Sequence, residues 1–436
     1  MKWSSAIPLL LILSGSVTAD VRTLEQDVAY TISTNPLINR EFNQLQSRGQ
    51  EIKEAYSGYL PSLTLSAGIG HQRLENDNTA ITGNDRFDPW NANITLRQYL
   101  FQGFEVQENV TRTRAEAEAQ RFKLWSDAED LALRVIEVYL GVILTEQIQQ
   151  LTTVNRNKHQ KQYDDIQRRQ QQGLSNRADL SQMTARLAES NANLIAAENN
   201  YQDAKEEYFR VVGRWPTTLD RPEVDQNFLP SDLEQALQGA HKNNPTLQLA
   251  HQDIDAAYAQ QQIAKSRFYP DLYVEAQQNW DDETAGRLGR QDEFNVMLRV
   301  SWDLFNGFAD QAAVKRLAYQ LSVAKDIRDD SLRQLDEGTR LAWNAWKFTN
   351  RQLGFLQGHV EAANQTVTAY IKQFDIGKRT LLDVLNTENE LFEAKLAYLD
   401  AEYAEMEAKY RLLNATGVLL DALRITVPAE WQESRR

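Results

Sequence analysis

The chain has 436 residues, 42% hydrophobic and 25% charged, with a net charge of −14 and no cysteine. The acidic balance argues against nucleic-acid binding, which wants a basic face; the missing cysteines exclude disulfides and a lipid-anchored N-terminal cysteine, so stability has to come from packing and assembly. After residue 19 the longest mostly apolar run, Val138 to Leu144, falls far short of the ~20 residues a membrane helix needs, so any membrane crossing would be made by strands.

Residues 1–19 read as a secretory signal, with Lys2 as the positive region, Ile7 to Leu13 as the apolar core and Val17-Thr18-Ala19 as the cleavage site. Cleavage removes one base and no acid, leaving −15 on the mature chain instead of −14. Residues 22–59 read as two helices parted at Asn35-Pro36, and Thr23 with Gln26 is a candidate capping box. The pair ends towards Pro61, because proline cannot continue a helix and biases its predecessor to extended geometry. Strands follow. Leu63, Leu65, Ala67 and Ile69 alternate with small polar residues over Ser62 to His71, and Trp90, Ala92, Ile94 and Leu96 alternate with Asn91, Asn93, Thr95 and Arg97.

An aromatic hinge, Tyr99 to Phe104, opens about 68 residues without proline, a helix on the order of 100 Å long. Two apolar stripes run along it: Leu131, Val135, Val138 and Val142, and beside them Leu133, Ile136, Leu140 and Ile143. They call for neighbours on both flanks, as in a ring of helices around a wet lumen. The chain turns at Gln172-Gly173-Leu174-Ser175-Asn176, with glycine closing one helix and Ser175 starting the next. On the return helix Leu180, Leu187, Leu194, Tyr201 and Tyr208 recur every seven, with Met183, Ala197, Ala204 and Val211 between them, a coiled-coil pattern.

After a Gly- and Pro-marked join the order repeats. Leu304-Phe305-Asn306-Gly307-Phe308 answers Leu100-Phe101-Gln102-Gly103-Phe104, Gly377 answers Gly173, and Asn244-Pro245 answers Asn35-Pro36. Ser231 with Glu234 is the second candidate capping box, and Pro270 matches Pro61. In the second strands Leu272, Val274 and Ala276 oppose Tyr273, Glu275 and Gln277, and Phe294, Val296, Leu298, Val300 and Trp302 oppose Asn295, Met297, Arg299 and Ser301. The second return helix carries Leu385, Phe392, Leu399, Met406 and Leu413 every seven. The expected organisation is a tandem duplication: signal 1–19, first repeat 20–213, linker 214–230, second repeat 231–417 and tail 418–436.

Period-two alternation with aromatic ends fits a membrane β-barrel better than a soluble sheet on a core. Four strands per chain cannot close a barrel, and an open edge in lipid leaves backbone groups unpaired, so strands must be pooled: two chains give eight, three give twelve. The five histidines are scattered without metal-ligand spacing, and no nucleophile elbow, zinc-protease or complete phosphate-loop motif occurs. Neither catalysis nor a cofactor is expected.

At these residues the chain resembles the TolC-like family of outer-membrane efflux and secretion channels. The resemblance rests on the duplication, the Leu-Pro and Tyr-Pro joints, the Phe-x-Gly-Phe hinges and the run Ile376-Gly377-Lys378-Arg379-Thr380-Leu381-Leu382-Asp383-Val384-Leu385. It implies a mixed α and β fold, a homotrimer whose twelve-stranded transmembrane barrel in outer-membrane lipid continues into a long α-helical coiled-coil tunnel in the periplasm. It also implies a periplasmic adaptor and an inner-membrane transporter, ABC or proton-driven, as partners in type I secretion or multidrug efflux. By position Asp383 matches a constriction aspartate, Arg379 a gate arginine and Asp179 its acceptor on the neighbouring hairpin. Phe374 stands where a gate tyrosine is usual, Asn386 where a second aspartate is expected, and Ala178 offers no hydroxyl, so the gate is expected to be weaker or differently wired. The rival class is a structural periplasmic coiled-coil protein or adhesin without a pore, which would not need four alternating strands.

Overall fold

Proline and glycine set the joints between helices and strands. The computed structural model describes residues 21–75, 80–81, 86–284 and 288–431, so the expected signal lies outside the described residues. Helix α1 spans Leu24–Thr34 and α2 Pro36–Tyr56, with Asn35 extended between them. The capping box at Thr23 and Gln26 forms as expected. A short 3-10 turn at Ser57–Tyr59 leads into β1, Ser62–Ile69, and a two-residue ladder, β2 (Gln72–Arg73) with β3 (Arg86–Phe87), lies in the following loop. Strand β4, Trp90–Gln102, feeds α3, Glu105–Gln171, which returns as α4, Arg177–Val212. The order recurs as α5 (Leu233–Asn243), α6 (Pro245–Ser266), β5 (Asp271–Asp282), β6 (Arg290–Ser301), α7 (Ala309–Asp375) and α8 (Leu381–Ala415), followed by a single turn, α9, Leu419–Ala422.

The second capping box falls one residue later than expected. Asp232, not Ser231, accepts from the backbone of Gln235 at 2.8 Å, and the Gln235 side chain reaches back to the Ser231 amide at 2.7 Å. Aspartate is as good a cap as serine, and with Asp232 as the cap the helix starts at Leu233.

The chain divides into two compact units, each taking segments from both sequence halves. One holds Pro36–Ala128 and Leu237–Gly338 with the described residues from Val427 onwards. Its four-stranded sheet has the order β1-β4-β5-β6, antiparallel throughout. One face carries Leu63 opposite Leu96, Leu65 opposite Ile94 and Ala276 opposite Val296. The other carries Thr64 opposite Thr95 and Gln277 opposite Asn295. On that polar face Glu275 is buried between two guanidiniums, Arg97 at 2.6 Å and Arg299 at 2.9 Å, tying three strands together.

The strands run longer than the alternation implied. β5 and β6 pair from Asp271 with Ser301 to Asp282 with Arg290, because backbone pairing continues through polar ends that a hydrophobic pattern does not register. Most of the expected hinge is likewise strand: β4 continues to Gln102, with an irregularity between Tyr99 and Phe101. A bulge there admits Leu100 as an extra residue and brings Phe101 opposite Leu272, onto the apolar face. The turn itself is two residues. Gly103 and Phe104 have φ of +58° and +69°, and Gly307 and Phe308 repeat this at +68° and +66°. A Cβ on Gly103 would lie 2.4 Å from the Ser266 carbonyl oxygen, so this glycine is required by close approach as well as by its φ.

The other unit holds Glu129–Ala236 and Thr339–Thr426 with the described residues up to Asn35. Both stripes of α3 contribute to its core, with Val135, Ile136, Val138, Leu140, Val142 and Ile143 all buried. Arg22 bridges Leu219 in parallel, and the Tyr139 hydroxyl donates towards the carbonyls of Arg22 and Asp220, so the linker is strapped to the start of the chain. Asp27, fully buried, accepts from Tyr208 and Arg214.

Glu129 is also buried, and its two oxygens accept from the amides of Leu419 and Leu420 at 3.1 and 3.2 Å. Burial pushes its carboxyl up to about 8, with Asp421 and Asp130 adding to the shift and the two amides opposing it. The folded value lies above the unfolded one, so the protonated group favours the fold below about pH 4.5, and that contribution is lost as pH rises through about 8. The melting temperature is therefore expected to fall between about pH 5 and 8, and Glu129→Gln to flatten the profile. Parallel profiles for the two proteins would contradict this.

Candidate gate at the hairpin tips

Two αα-hairpins end in the same backbone device. At the α3–α4 turn the Leu174 amide bonds the Arg169 carbonyl at 2.8 Å and the Gly173 amide bonds Gln170 at 3.0 Å. At the α7–α8 turn Lys378 bonds Gln373 at 2.8 Å and Gly377 bonds Phe374 at 2.9 Å. Both are Schellman closures, with each glycine at φ +74°. The next helix is capped by Asn176 in the first hairpin and by Thr380 in the second. Ser175, expected as the first cap, instead donates to Asp179 at 3.0 Å, because Asn176 is placed to accept from the Asp179 amide at 2.8 Å.

The tips pack together through an apolar cluster. Ile166 of α3, Met183 of α4, and Leu381 and Leu385 of α8 are buried in it, with Tyr163, Leu180 and Phe374 against its edge. On α4 the most buried seam is Met183, Ser190, Ala197 and Val211, while Leu180, Leu187 and Leu194 are half-buried. Ser190 was hidden from a purely apolar heptad count.

Each expected gate residue has a definite place. Asp383 completes the Thr380 capping box, accepting the Thr380 hydroxyl at 2.8 Å and its amide at 3.1 Å. The Thr380 hydroxyl and amide, with Arg379 nearby, hold its carboxyl below the usual aspartate value. The Arg379 guanidinium lies 4.2 Å over the Tyr370 ring and donates to Gln373 at 3.1 Å. Phe374 packs into the apolar cluster and faces Arg169. Asp179 is held by Ser175 and Asn176, so the partners found for Arg379 and Asp179 lie within their own hairpins. Asn386 accepts from Arg186 of the other hairpin at 3.4 Å.

The sequence reading missed a second layer. Glu388 on α8 is buried, its side chain 1% exposed, and bonds Lys158 of α3 at 2.8 Å. Gln162, one turn along α3, donates to both Glu388 oxygens at 2.9 Å. His159, also buried, lies 3.3 Å from the Gln162 carbonyl oxygen, and burial lowers its imidazole pKa. One signal was available: Glu388 stands seven residues after Leu381, inside the apolar seam of α8. The arrangement suits mechanical holding of one hairpin against the other.

The family model for outer membrane efflux protein matches residues 31–214 and again 236–418. The outer membrane efflux protein BepC of Brucella suis biovar 1 is 25% identical over 415 residues, 93% of this chain and 89% of that protein. The alkaline protease secretion protein AprF of Pseudomonas aeruginosa is 25% identical over 374 residues, 83% of this chain and 78% of that protein. The solved CmeC outer membrane channel of Campylobacter jejuni shares the fold at a TM-score of 0.80, with 13% identity, over 91% of this chain and 86% of that one. The two matched segments cover most of the chain, and it belongs to the outer membrane efflux protein family.

Proposed function

We propose that three copies of this chain pool their sheets into one twelve-stranded barrel, continued by a helical tunnel, as the passive gated conduit of a tripartite export system. The observation that carries this is the sheet: one apolar face, one polar face, and two outer strands, β1 and β6, each paired on one side within the chain. In lipid such edges must be paired, and joining β6 of one copy to β1 of the next does so. The hinge aromatics support the same ring. Phe101 and Phe104 pack edge-on against Tyr269, whereas their counterparts Phe305 and Phe308 are exposed in the single chain, awaiting Leu60, the Tyr269 counterpart, of the next copy. On α7 the exposed Ile327, Leu341, Phe348 and Phe355 lie on a seven-residue repeat, a seam for the same neighbour.

In this reading the chain is a tandem duplication, 20–213 and 231–417 about the linker 214–230, and the two family matches support it. Asp383, Arg379, Asp179, Phe374 and Asn386 border the aperture, with one acidic ring at Asp383. A periplasmic adaptor and an energised inner-membrane transporter complete the system. AprF's name speaks for protein secretion and BepC's for efflux, so the cargo class is read from the partner transporter.

Planar-bilayer recording of the purified assembled protein tests the conduit. A small, cation-preferring conductance is expected. Asp383→Asn keeps a cap acceptor while removing the charge, and should weaken divalent-cation block about tenfold. An inserted oligomer that never conducts would favour the pore-free structural role.

A further inference from the structure

We propose that Glu388 is the clasp that holds the second hairpin against the first in the closed channel; this rests on the conduit reading above. Within the single chain, Asp383, Arg379 and Asp179 do not supply that hold. Asp383 bonds Thr380, Arg379 bonds Gln373 and stacks on Tyr370, and Asp179 bonds Ser175, all inside one hairpin. Polar ties that cross between the hairpins near the tips include Glu388 with Lys158 and Gln162, and Asn386 with Arg186.

The chemistry suits a reversible device. Lys158 and Gln162 are four apart on α3 and so share one face, presenting an ammonium and an amide to one carboxylate. His159 lies at hydrogen-bonding distance from the Gln162 side-chain oxygen, the end of that amide away from the NH2 group that donates to Glu388. Only the carboxylate of this pair is buried, with Lys158 half-exposed; desolvation of Glu388 offsets much of the attraction, yet the buried oxygens are selective for the one geometry that supplies them with donors. Moving α8 off α3 would rehydrate the Glu388 carboxylate, Lys158 being half-exposed already, and cost little overall. A partner docking at the tips could then open the clasp, whereas thermal motion that separates the groups without hydrating them is opposed. The apolar cluster below would keep the hairpins aligned while the clasp sets whether they are closed.

The test uses the full-length assembled protein in planar bilayers, reading single-channel conductance and the largest neutral polymer that enters the pore. Polymer cut-off reports width and is insensitive to a change of pore charge. Glu388→Ala is expected to raise conductance severalfold and to enlarge the cut-off. Exchanging the charges, Lys158→Glu with Glu388→Lys, should restore values near wild type. If Glu388→Ala does not assemble, Glu388→Gln with Lys158→Met keeps hydrogen bonding to Gln162 without the ion pair and should give an intermediate width. Wild-type conductance and cut-off in an assembled Glu388 variant would overturn the clasp while leaving the conduit standing. Silence from wild type and every variant would overturn the conduit, and the clasp with it.

Discussion

Arginine in place of Val296 is expected to abolish assembly in the outer membrane. Val296 is 59% exposed on the apolar face of β6, opposite Ala276, and in the proposed barrel that face meets lipid. Arginine near the bilayer midplane costs about 2–4 kcal/mol per site, and every copy in the ring carries the change. The neighbouring substitution Asn295→Arg is the control. Asn295 lies opposite Gln277 on the polar face, where a guanidinium would meet water, and this variant should assemble as wild type does. Outer-membrane fractionation and the heat-modifiable oligomer band measure both. Assembly of Val296→Arg with loss of Asn295→Arg would reverse the two faces and with them the direction of the lumen.

The second large effect is expected at the buried join between the start of the chain and the linker. Asp27 has no exposed surface; it accepts from the Tyr208 hydroxyl and from Arg214, whose guanidinium also lies 4.1 Å over the Tyr30 ring. Arg214→Ala leaves a buried carboxylate without its counter-charge, at a cost of about 3–5 kcal/mol. Tyr208→Phe removes one neutral donor and should cost about 1–3 kcal/mol. Adding Asp27→Asn to Arg214→Ala should recover part of the loss, since the uncompensated charge is gone. Denaturant midpoints of the detergent-solubilised protein measure all three. A loss below about 1 kcal/mol for Arg214→Ala would show that water reaches Asp27 and that the join is not a buried ion pair.

Much of the fold was legible because its signals are local. Pro36 and Pro61 bound helices by ring geometry, and the Thr23 box forms through atoms three residues apart. The pairs Gly103-Phe104 and Gly307-Phe308 mark turns because both residues adopt positive φ. Where the reading slipped, two local solutions of similar energy competed. Asp232 and Ser231 are both good caps, as are Asn176 and Ser175, and only the register of the following helix decides between them. The bulge at Leu100 was invisible to period-two counting because it interrupts that period.

The hairpin tips were legible as places, the bonds around them much less so. Gly173, Gly377 and the residues beside them located the two tips. Which side chains would join the hairpins was not contained in the spacing.

Taken alone, the sequence determined what depends on near neighbours and periodicity: the element order and its repetition, the long proline-free helices, the two-faced strands and the turns between them. Tertiary structure alone decided which distant groups share a buried site. Glu388 meets Gln162 across 226 residues, and Glu129 meets Leu420 across 291. Such pairings depend on how helices pack and on where water is excluded, and a carboxylate in an apolar seam reads the same in sequence whether it is capped, paired or strained. Burial makes the difference, because only without water must each oxygen find a donor from the protein.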